Sequence, residues 1–465
     1  MPERIQSEGP KKQDKAAPCR TRGSRSLRQA GSEQRRMTNV HALEQNLLEQ
    51  IITHDNLQRA WKRVKANKGA AGIDEITVAD FPTWARQHWP DIKTQLLDGD
   101  YSPEAVRRVW IPKPNGDQRP LGIPSVADRV IQQAIAQVLT PIYEPLFSDH
   151  SYGFRPGRSA HQAVRQVRED LRSGNRVVVD IDLAAFFDSV NHDVLMRLLA
   201  QRVADKRVLK LIGRYLRAGV IIDGVQHPTP LGVPQGGPLS PLLANIVLHE
   251  LDVYLQQQKR SFARYADDFV ICVKSTSAAQ RVKANVTRFL DKRLKLRINH
   301  DKSHIVPGKQ LEFLGFTFRG TKIAWSDKAL HRFKHRIRQL TGRSWGVSLG
   351  YRYRELKQYI VGWMNYFALS EYYRPIPELD EWLRRRMRCC YWKQWRWPRT
   401  KISHLVSLGV SLKEAIKTGV SSKGPYAMSR TPITQMAMSN EWLAEQGLVS
   451  IKDQWVRFHY PASTA

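Results

Sequence analysis

The sequence has few cysteines, no long apolar run and a shortage of acidic residues. Its four cysteines, Cys19, Cys272, Cys389 and Cys390, form no C-x-x-C pair, which argues against a disulfide scaffold and against a structural zinc site. No segment approaches the ~18 consecutive apolar residues of a membrane span, and the N-terminus lacks the apolar stretch of a signal peptide. These absences predict a cytoplasmic protein, in a reducing compartment, with no membrane partner.

The shortage of acids indicates the kind of partner. The 465 residues include 74 Lys and Arg against 43 Asp and Glu, which gives a net charge of +31. Such a surplus makes a compact chain repel itself unless a polyanion neutralises it, so nucleic acid or an acidic membrane is the expected partner. The 13 tryptophans favour nucleic acid, because bases can stack on aromatic rings.

The chain changes character along its length. Residues 1–36 hold ten Lys and Arg and four acids, which predicts a disordered basic arm; the alternative is an upstream stretch of little function before a start at Met37. Between about 100 and 320, short β-branched runs alternate with longer helical patterns, which indicates an α+β or α/β domain. Strand signals largely stop after Trp325, and a basic helical region to about 396 precedes a small separate module.

Two adjacent carboxylates mark the first candidate site. Strand-like runs flank Tyr265-Ala266-Asp267-Asp268, and this pattern predicts a tight β-hairpin with both acids at its tip. Neighbouring carboxylates repel each other, so the pair suggests a bound divalent cation. The alternative is an acidic pair in an ordinary surface turn, which the apolar flanks on both sides disfavour.

A second acidic segment lies at residues 177–183. The strand period of two places Asp180 and Asp182 on one face and Val179, Ile181 and Leu183 on the other. Together with the hairpin, this segment supplies acidic oxygens from two neighbouring strands, as two-metal phosphoryl transfer requires. The pattern therefore predicts nucleotidyl transfer with two Mg²⁺ ions, for which Mn²⁺ is a possible substitute.

The ordered motifs of the chain resemble those of group II intron-encoded reverse transcriptases. The resemblance is strongest to the compact bacterial group IIC type, which also acts as a maturase. Other members carry a Cys-rich endonuclease module after the DNA-binding segment, and this chain has neither the cysteines nor the length for such a module. The likeness covers roughly residues 37–460. The matching segments are 109–114 (VWIPKP), 118–124 (QRPLGIP), 152–158 (YGFRPGR), 182–188, 234–241 (PQGGPLSP), 265–268 (YADD) and 313–316 (FLGF).

This resemblance implies a fold class and a domain plan. The fold is an α+β right-hand polymerase followed by an α-helical thumb that doubles as the maturase domain. The implied boundaries are an N-terminal extension of the fingers at 37–100, fingers and palm at 101–320, thumb and maturase domain at 321–396, and a DNA-binding module at 397–465.

The resemblance also implies roles for the acidic residues and their neighbours. Asp182, Asp267 and Asp268 become the catalytic metal ligands, and Asp180 becomes a supporting or structural residue. Phe187, five residues after Asp182, becomes a gate against the 2′-hydroxyl of a ribonucleotide; the alternative is an ordinary core residue.

Several polar residues surround the implied nucleotide pocket. Lys113 and Arg119 flank a turn containing Asn115-Gly116, which favours a hairpin that brings both cations over one site; the alternative is two solvated charges. The resemblance assigns both cations to the incoming nucleotide and places Gln235 beside the templating base pair. Arg155 and Arg158 are expected to be loop cations that contact template phosphates, unless they belong to an ordinary solvated loop.

Two basic stretches dominate the predicted thumb. Residues 328–358 contain nine Lys and Arg with one acid, and residues 382–401 contain eight with none, interleaved with large aromatics. Solvated faces are the alternative, but cations among aromatics favour RNA binding. The second stretch predicts an RNA-binding helix face formed by Arg384, Arg385, Arg386 and Arg388.

The resemblance implies an RNA-directed DNA polymerase and intron maturase. Its expected partners are the parent group II intron RNA, a DNA target and primer-template, and deoxynucleoside triphosphates; it is expected to be nucleoid-associated when bound to DNA. One alternative is a reverse transcriptase of a retron, phage-defence or CRISPR system. Another is a non-catalytic RNA chaperone, which the intact acids at 182, 267 and 268 disfavour.

Overall fold

The computed structural model describes residues 46–112, 116 and 118–461. The predicted basic arm at 1–36, Cys19 and Lys113 lie outside these residues. Helices and strands alternate up to Trp325, and helices alone follow within the described ranges, as the sequence predicts.

Three helices precede the first sheet. They are α1 (Leu47–Ile51), α2 (His54–Ala66) and α3 (Phe81–Asp98). Their apolar sides pack against α4 (Val126–Tyr143), which is buried along most of its length. Residues 47–98, predicted to be an N-terminal extension, therefore share one core with α4.

The fingers sheet has four strands. They are β1 (Val106–Pro112), β2 (Gln118–Ile123), β4 (Val220–Ile222) and β5 (Val225–His227), in the order β2-β1-β4-β5. The pairing of β1 with β4 is parallel, and the other two pairings are antiparallel. This arrangement brings residues 106–123 beside a segment about one hundred residues further along the chain.

The palm sheet carries the acidic motifs. Its strands are β3 (Val177–Ile181), β6 (Ser261–Tyr265), β7 (Asp268–Val273) and β8 (His304–Pro307), in the order β6-β7-β3-β8, and all pairings are antiparallel. The helices around it are α5 (Ala160–Arg172), α6 (Phe186–Ser189), α7 (His192–Ala200), α8 (Lys206–Arg217), α9 (Ser240–Gln257) and α10 (Thr276–Phe289), and a π-helical turn (Leu290–Leu294) follows α10.

The two faces of the palm sheet contact different cores. Val179, Ile181 and Leu183 belong to the core shared with the fingers, whereas Val178 belongs to the core shared with the thumb. This is the alternation that the period of two predicts for residues 177–183. The strand that ends before Asp182 is thus held from both sides.

A small third sheet leads into a helical region. It comprises β9 (Glu312–Phe313), β10 (Phe316–Arg319) and β11 (Lys322–Trp325), in the order β11-β10-β9. The helices that follow are α11 (Asp327–Leu340), α12 (Leu349–Phe367), α13 (Pro375–Gln394), α14 (Pro398–Ser407), α15 (Leu412–Gly419), α16 (Pro425–Met428), α17 (Pro432–Ala437), α18 (Asn440–Glu445) and α19 (Ile451–His459). In the part of the chain that the structure describes, none of the helices has both the length and the apolarity needed to cross a membrane.

Candidate active site and nucleic-acid surface

The YADD segment forms the predicted hairpin. Tyr265 pairs with Asp268 at the end of the β6–β7 ladder, which leaves Ala266 and Asp267 as a two-residue turn. Ala266 has a φ of +59°, as a tight hairpin turn of this length requires. The turn therefore presents Asp267 and Asp268 at the end of the sheet.

The strand that precedes Asp182 lies directly beside this hairpin. In the antiparallel ladder between β3 and β7, Ile181 pairs with Phe269, so the next residues in register are Asp182 and Asp268. The backbone of Asp182 is fixed from the far side, since its carbonyl accepts a hydrogen bond from Asn299 N (2.8 Å) and its N–H donates to Ser303 Oγ (3.1 Å). The fold thus brings together acids that lie 86 residues apart in the sequence (182 to 268).

The carboxylates affect one another electrostatically. Burial, followed by repulsion from Asp267 and Asp182, raises the pKa of Asp268 to about 6. Burial also raises the pKa of Asp267, while the nearby Arg119 guanidinium acts in the opposite direction. Such crowded anions are stabilised by a cation.

The donor set suits Mg²⁺ in chemistry, because carboxylate oxygens are the hard ligands that this ion prefers. In the residues that the structure describes, however, no group of three or more His, Cys, Asp or Glu side chains is gathered closely enough to hold a metal ion. The expectation that these acids bind Mg²⁺ therefore rests on the strand register, which places Asp182 beside Asp268, and on the mutual repulsion of the carboxylates.

Asp180 lies on the same face of β3 but further from the hairpin. Burial, then repulsion from Asp182 and Glu312, raises its pKa to about 6, and Lys328 of α11 lowers it. Its side chain thus lies close to charges of the third sheet and the thumb. This location agrees with a supporting role.

Arg119 and Gln235 meet across the fingers and palm. Arg119 Nε donates a hydrogen bond to Gln235 Oε1 (3.1 Å), and the backbones are joined where Gly122 N donates to the Gln235 carbonyl (2.6 Å). Gly236 has a φ of +123°, and a Cβ there would lie 2.2 Å from the Gly122 carbonyl oxygen, so only glycine allows this close approach. Two residues that the resemblance assigns to one pocket are therefore in contact.

Phe187 lies in the interior at the edge of this region. Ala185, two residues before Phe187, has a φ of +44°. The ring of Phe187 packs against that of Phe186, with ring centroids 5.2 Å apart. The residue is only 9% exposed and belongs to the core of the fingers and palm. Its position is compatible with either of the two expected roles.

The structure corrects the expectation for Arg155. Its side chain is 3% exposed, and all three guanidinium nitrogens bind within the protein, to the Glu144 carboxylate and to the carbonyls of Glu144, Ser148 and Ser151. No N–H group is left to face a phosphate, so Arg155 organises its loop from inside. Arg158 is partly exposed beside Asp149 and stays a candidate template contact.

Comparison with known proteins identifies the family. Residues 111–318 match the model described as "Reverse transcriptase (RNA-dependent DNA polymerase)", and residues 330–408 match "Group II intron, maturase-specific domain". The chain is 35% identical over 319 residues to protein YkfC of Escherichia coli (strain K12), a match that spans 60% of this chain and 83% of that protein. The chain belongs to the reverse transcriptases with a group II intron maturase domain. The predicted family and fold class are thereby confirmed, as is the predicted class of function.

A second relative is named as a protein encoded by a group II intron. The chain is 32% identical over 349 residues to "Group II intron-encoded protein LtrA" of Lactococcus lactis subsp. cremoris. This match covers 60% of this chain and 58% of that protein. Among solved structures, the "Partial Cas6-RT-Cas1--Cas2 complex" is similar at a TM-score of 0.35 and 25% identity, over 53% of this chain and 43% of that chain. A TM-score this low supports no conclusion about function.

The structure also corrects the expected RNA-binding face within the matched maturase region. Arg388 is buried and donates to the Met438 carbonyl (2.8 Å) and to Asn440 Oδ1 (3.1 Å). Arg386 Nη2 donates to the carbonyls of Arg338 and Thr341 at the end of α11. These bonds join α13 to the neighbouring helices, so the two arginines stabilise the domain.

The other two arginines of that set point elsewhere. Arg384 forms an ion pair with Asp380 one turn earlier (2.5 Å), and the guanidinium of Arg385 stacks on Tyr426 at 3.7 Å from the ring centroid. Arg386 and Arg388 are therefore held inside the domain, and the prediction of one RNA-binding face that includes all four arginines is wrong. Arg384 and Arg385 are partly exposed and stay candidate contacts.

The exposed basic row lies instead on α11. Lys328, Arg332 and Arg336 follow one another at intervals of four residues and are all exposed, and the guanidinium of Arg332 lies 5.7 Å from the ring centroid of Trp363 on α12. An open groove between α11 and α12 is lined by Arg336, Tyr359, Trp363 and Tyr366. This is the first basic stretch that the sequence predicts.

The role of Arg264 in the site was not predicted from the sequence. Arg264 is fully buried beneath the hairpin, where it pairs with Asp252 (2.6 Å) and donates to Asn245 Oδ1 (2.9 Å) and to the Ala266 carbonyl (3.0 Å). It thereby holds the turn that carries Asp267. A charged residue within an otherwise apolar strand was the available signal.

Proposed function

We propose that this chain is an RNA-directed DNA polymerase and intron maturase that binds its parent group II intron RNA, promotes its splicing and copies it into DNA during retrohoming. The observation that carries the proposal is the register of the palm sheet, in which Asp182 follows β3 opposite Asp268 of the hairpin. The family matches support the same class of activity.

The proposed chemistry is nucleotidyl transfer. Asp182, Asp267 and Asp268 would hold two Mg²⁺ ions, or Mn²⁺ in their place, which when bound lower the pKa of the attacking 3′-hydroxyl and neutralise the leaving pyrophosphate. Arg119, held at Gln235, adds positive charge where a triphosphate would lie. Lys113 is proposed as a second cation of this pocket.

The polymerase and maturase roles use separate surfaces in this proposal. Primer-template and deoxynucleoside triphosphates bind at the palm and fingers, with Arg158 as a template contact. Intron RNA binds mainly along the exposed row of α11, where cations lie beside aromatic rings. A DNA target is bound by the C-terminal module.

Replacing the acids tests the catalytic assignment. Asp182→Ala, Asp267→Ala and Asp268→Ala are each expected to abolish Mg²⁺-dependent cDNA synthesis while leaving affinity for intron RNA nearly unchanged, because the acids position metals and the thumb supplies affinity. Primer extension beside filter binding measures the two effects.

Asp291→Ala is the matched control, since Asp291 is an exposed acid in the π-helical turn after α10. It is expected to leave both activities unchanged. Polymerisation near the parent rate in Asp267→Ala would overturn the assignment.

A further inference from the structure

α14, at the end of the matched maturase region 330–408, and α15, just beyond it, are joined by a short turn. α14 ends in the hydrogen bonds of a Schellman motif, in which Val410 N donates to the Leu405 carbonyl (3.0 Å) and Gly409 N donates to the Val406 carbonyl (3.0 Å). Gly409 has a φ of +87°, and Ser411 caps α15 by accepting from Glu414 N. Four residues, 408–411, therefore separate the two helices.

The second helix is packed on one narrow side. Ala415, Thr418 and Gly419 are buried, and a Cβ added to Gly419 would lie 2.6 Å from Cγ1 of Ile402, so α15 crosses α14 at close range. Leu405 and Val410 complete the small core between the two helices.

The remaining surface of α15 is exposed and has both apolar and basic side chains. Leu412, Ile416 and Val420 are 62%, 45% and 59% exposed and repeat at intervals of four, with Lys413 and Lys417 exposed between them. A solvent-facing helix normally carries polar residues there. An apolar row of this kind indicates a partner surface.

The surroundings of α15 are strongly basic. Residues 393–423 contain seven Lys and Arg and one acid, Glu414, and Arg396 and Arg399 are exposed at the start of α14. Trp397 beside them is 63% exposed. A polyanion therefore fits this surface better than a second copy of the same basic chain.

We infer that α14 and α15 form a helix-turn-helix unit whose second helix, α15, lies in the major groove of duplex DNA. Two helices joined by a short turn containing glycine match this motif, as does the outer side of the second helix, which is exposed in the described part of the chain. Lys413 and Lys417 contact phosphates, and Leu412 and Ile416 contact thymine methyl groups. The inference deepens the proposed function, because it assigns the binding of the DNA target to one helix.

Duplex RNA fits this surface less well. The major groove of B-DNA is wide enough for an α-helix, whereas that of an A-form RNA helix is deep and narrow. The eight residues of α15 span ~12 Å, which corresponds to roughly three or four base pairs.

The test compares duplex DNA with duplex RNA of the same sequence, without Mg²⁺ or nucleotides. In the full chain, Lys413→Gln with Lys417→Gln is expected to lower the slope of log affinity against log salt for a 20-base-pair DNA by roughly 1.8, at ~0.9 per phosphate contact. Binding of the RNA duplex is expected to stay unchanged. An unchanged DNA slope, or an equal loss for both duplexes, would overturn the inference.

Lys452→Gln with Arg457→Gln is the matched control, since both residues are exposed on α19 of the same module and carry the same charge. For this control, the slope of log DNA affinity against log salt is expected to change by less than half of the change in the Lys413→Gln, Lys417→Gln variant. An equal change would mean that only the net charge of the protein matters, and the inference would fail. Primer extension by the Lys452→Gln, Arg457→Gln control is expected to match the parent. Absence of primer extension in the parent would contradict the proposed function without affecting the comparison of DNA slopes.

A photo-crosslinking amino acid in place of Ile416 tests the occupant directly. Crosslinks to bases of the DNA duplex are expected. Crosslinks confined to a second copy of the protein would assign the surface to self-association, and crosslinks confined to RNA would assign it to the intron; either result overturns the inference. Because Ile416 is exposed, the replacement is expected to leave the thermal unfolding temperature unchanged.

Discussion

Phe187 is almost entirely buried and yet follows the β3 strand of the palm by only a few residues. If its ring packs under the sugar, Phe187→Ala is expected to raise incorporation of ribonucleotides relative to deoxynucleotides by several-fold or more, since a clash of ~1.4 kcal/mol corresponds to a factor of ten. Primer extension with each nucleotide class measures this ratio.

The neighbouring Phe186 supplies the control for this experiment. It is 2% exposed and touches Phe187, so Phe186→Ala is expected to lower stability by about 3–5 kcal/mol as other buried Phe→Ala changes do. Sugar discrimination is expected to stay at the parent value. Equal discrimination in both variants would show that Phe187 is a core residue only.

The contact between Arg119 and Gln235 predicts coupling between the two side chains. Arg119→Ala and Gln235→Ala are each expected to raise the KM for deoxynucleoside triphosphates about tenfold, because each removes a group from the pocket and releases the other. The double variant is expected to lose less than the sum of the single losses, by about 0.5–1.5 kcal/mol. Strictly additive losses in steady-state kinetics would argue against a shared role.

At the scale of elements, we propose that α11 binds RNA, whereas the arginines of α13 stabilise the domain. Changing Lys328, Arg332 and Arg336 to Gln is expected to lower the slope of log RNA affinity against log salt by roughly 2–3, at 0.7–0.9 per contact. Filter binding at several salt concentrations measures the slope.

Arg388→Gln provides the contrasting variant on α13. Its loss leaves the Met438 carbonyl and the Asn440 amide without their donor, so the free energy of unfolding is expected to fall by about 1–3 kcal/mol. The salt slope is expected to stay at the parent value. A lower slope with unchanged stability would restore the arginines of α13 as the RNA surface.

At the scale of the whole molecule, a buried acid links stability to pH. Asp170 on α5 accepts a hydrogen bond from Gln166, but its Oδ2 has no partner among the residues that the structure describes, and burial raises the pKa of this carboxyl to about 6. The folded chain therefore binds more protons than the unfolded chain between the ordinary Asp pKa and about 6, so stability falls as pH rises through this window. The full effect is about 3 kcal/mol.

Asp170→Asn removes the contribution of this residue to the pH dependence of stability. The variant is expected to unfold at a higher temperature than the parent at pH 7.5 and at nearly the same temperature near pH 4, as differential scanning calorimetry measures. Glu169→Gln is the control, because Glu169 is the exposed neighbour. A variant that is less stable than the parent at pH 7.5 would contradict this account.

The sequence by itself determined what depends on neighbouring residues in the chain. The alternation of residues 177–183, the hairpin at 261–273 and the change to helices after Trp325 are local patterns, and the structure has each of them. The order of the motifs was also sufficient to predict the family. These features follow from periodicity and turn chemistry, which act over a few residues.

Only the tertiary structure decided which way long side chains point. Arg155, Arg386 and Arg388 lie in stretches that look like solvated basic segments, yet each binds carbonyls or side-chain oxygens that distant parts of the chain or a folded loop bring close. Conversely, the row on α11 and the outer side of α15 are exposed because no element among the residues that the structure describes covers them. A charge pattern fixes the number of cations, whereas burial and hydrogen-bond partners, which depend on packing, determine which cations are left for a nucleic acid.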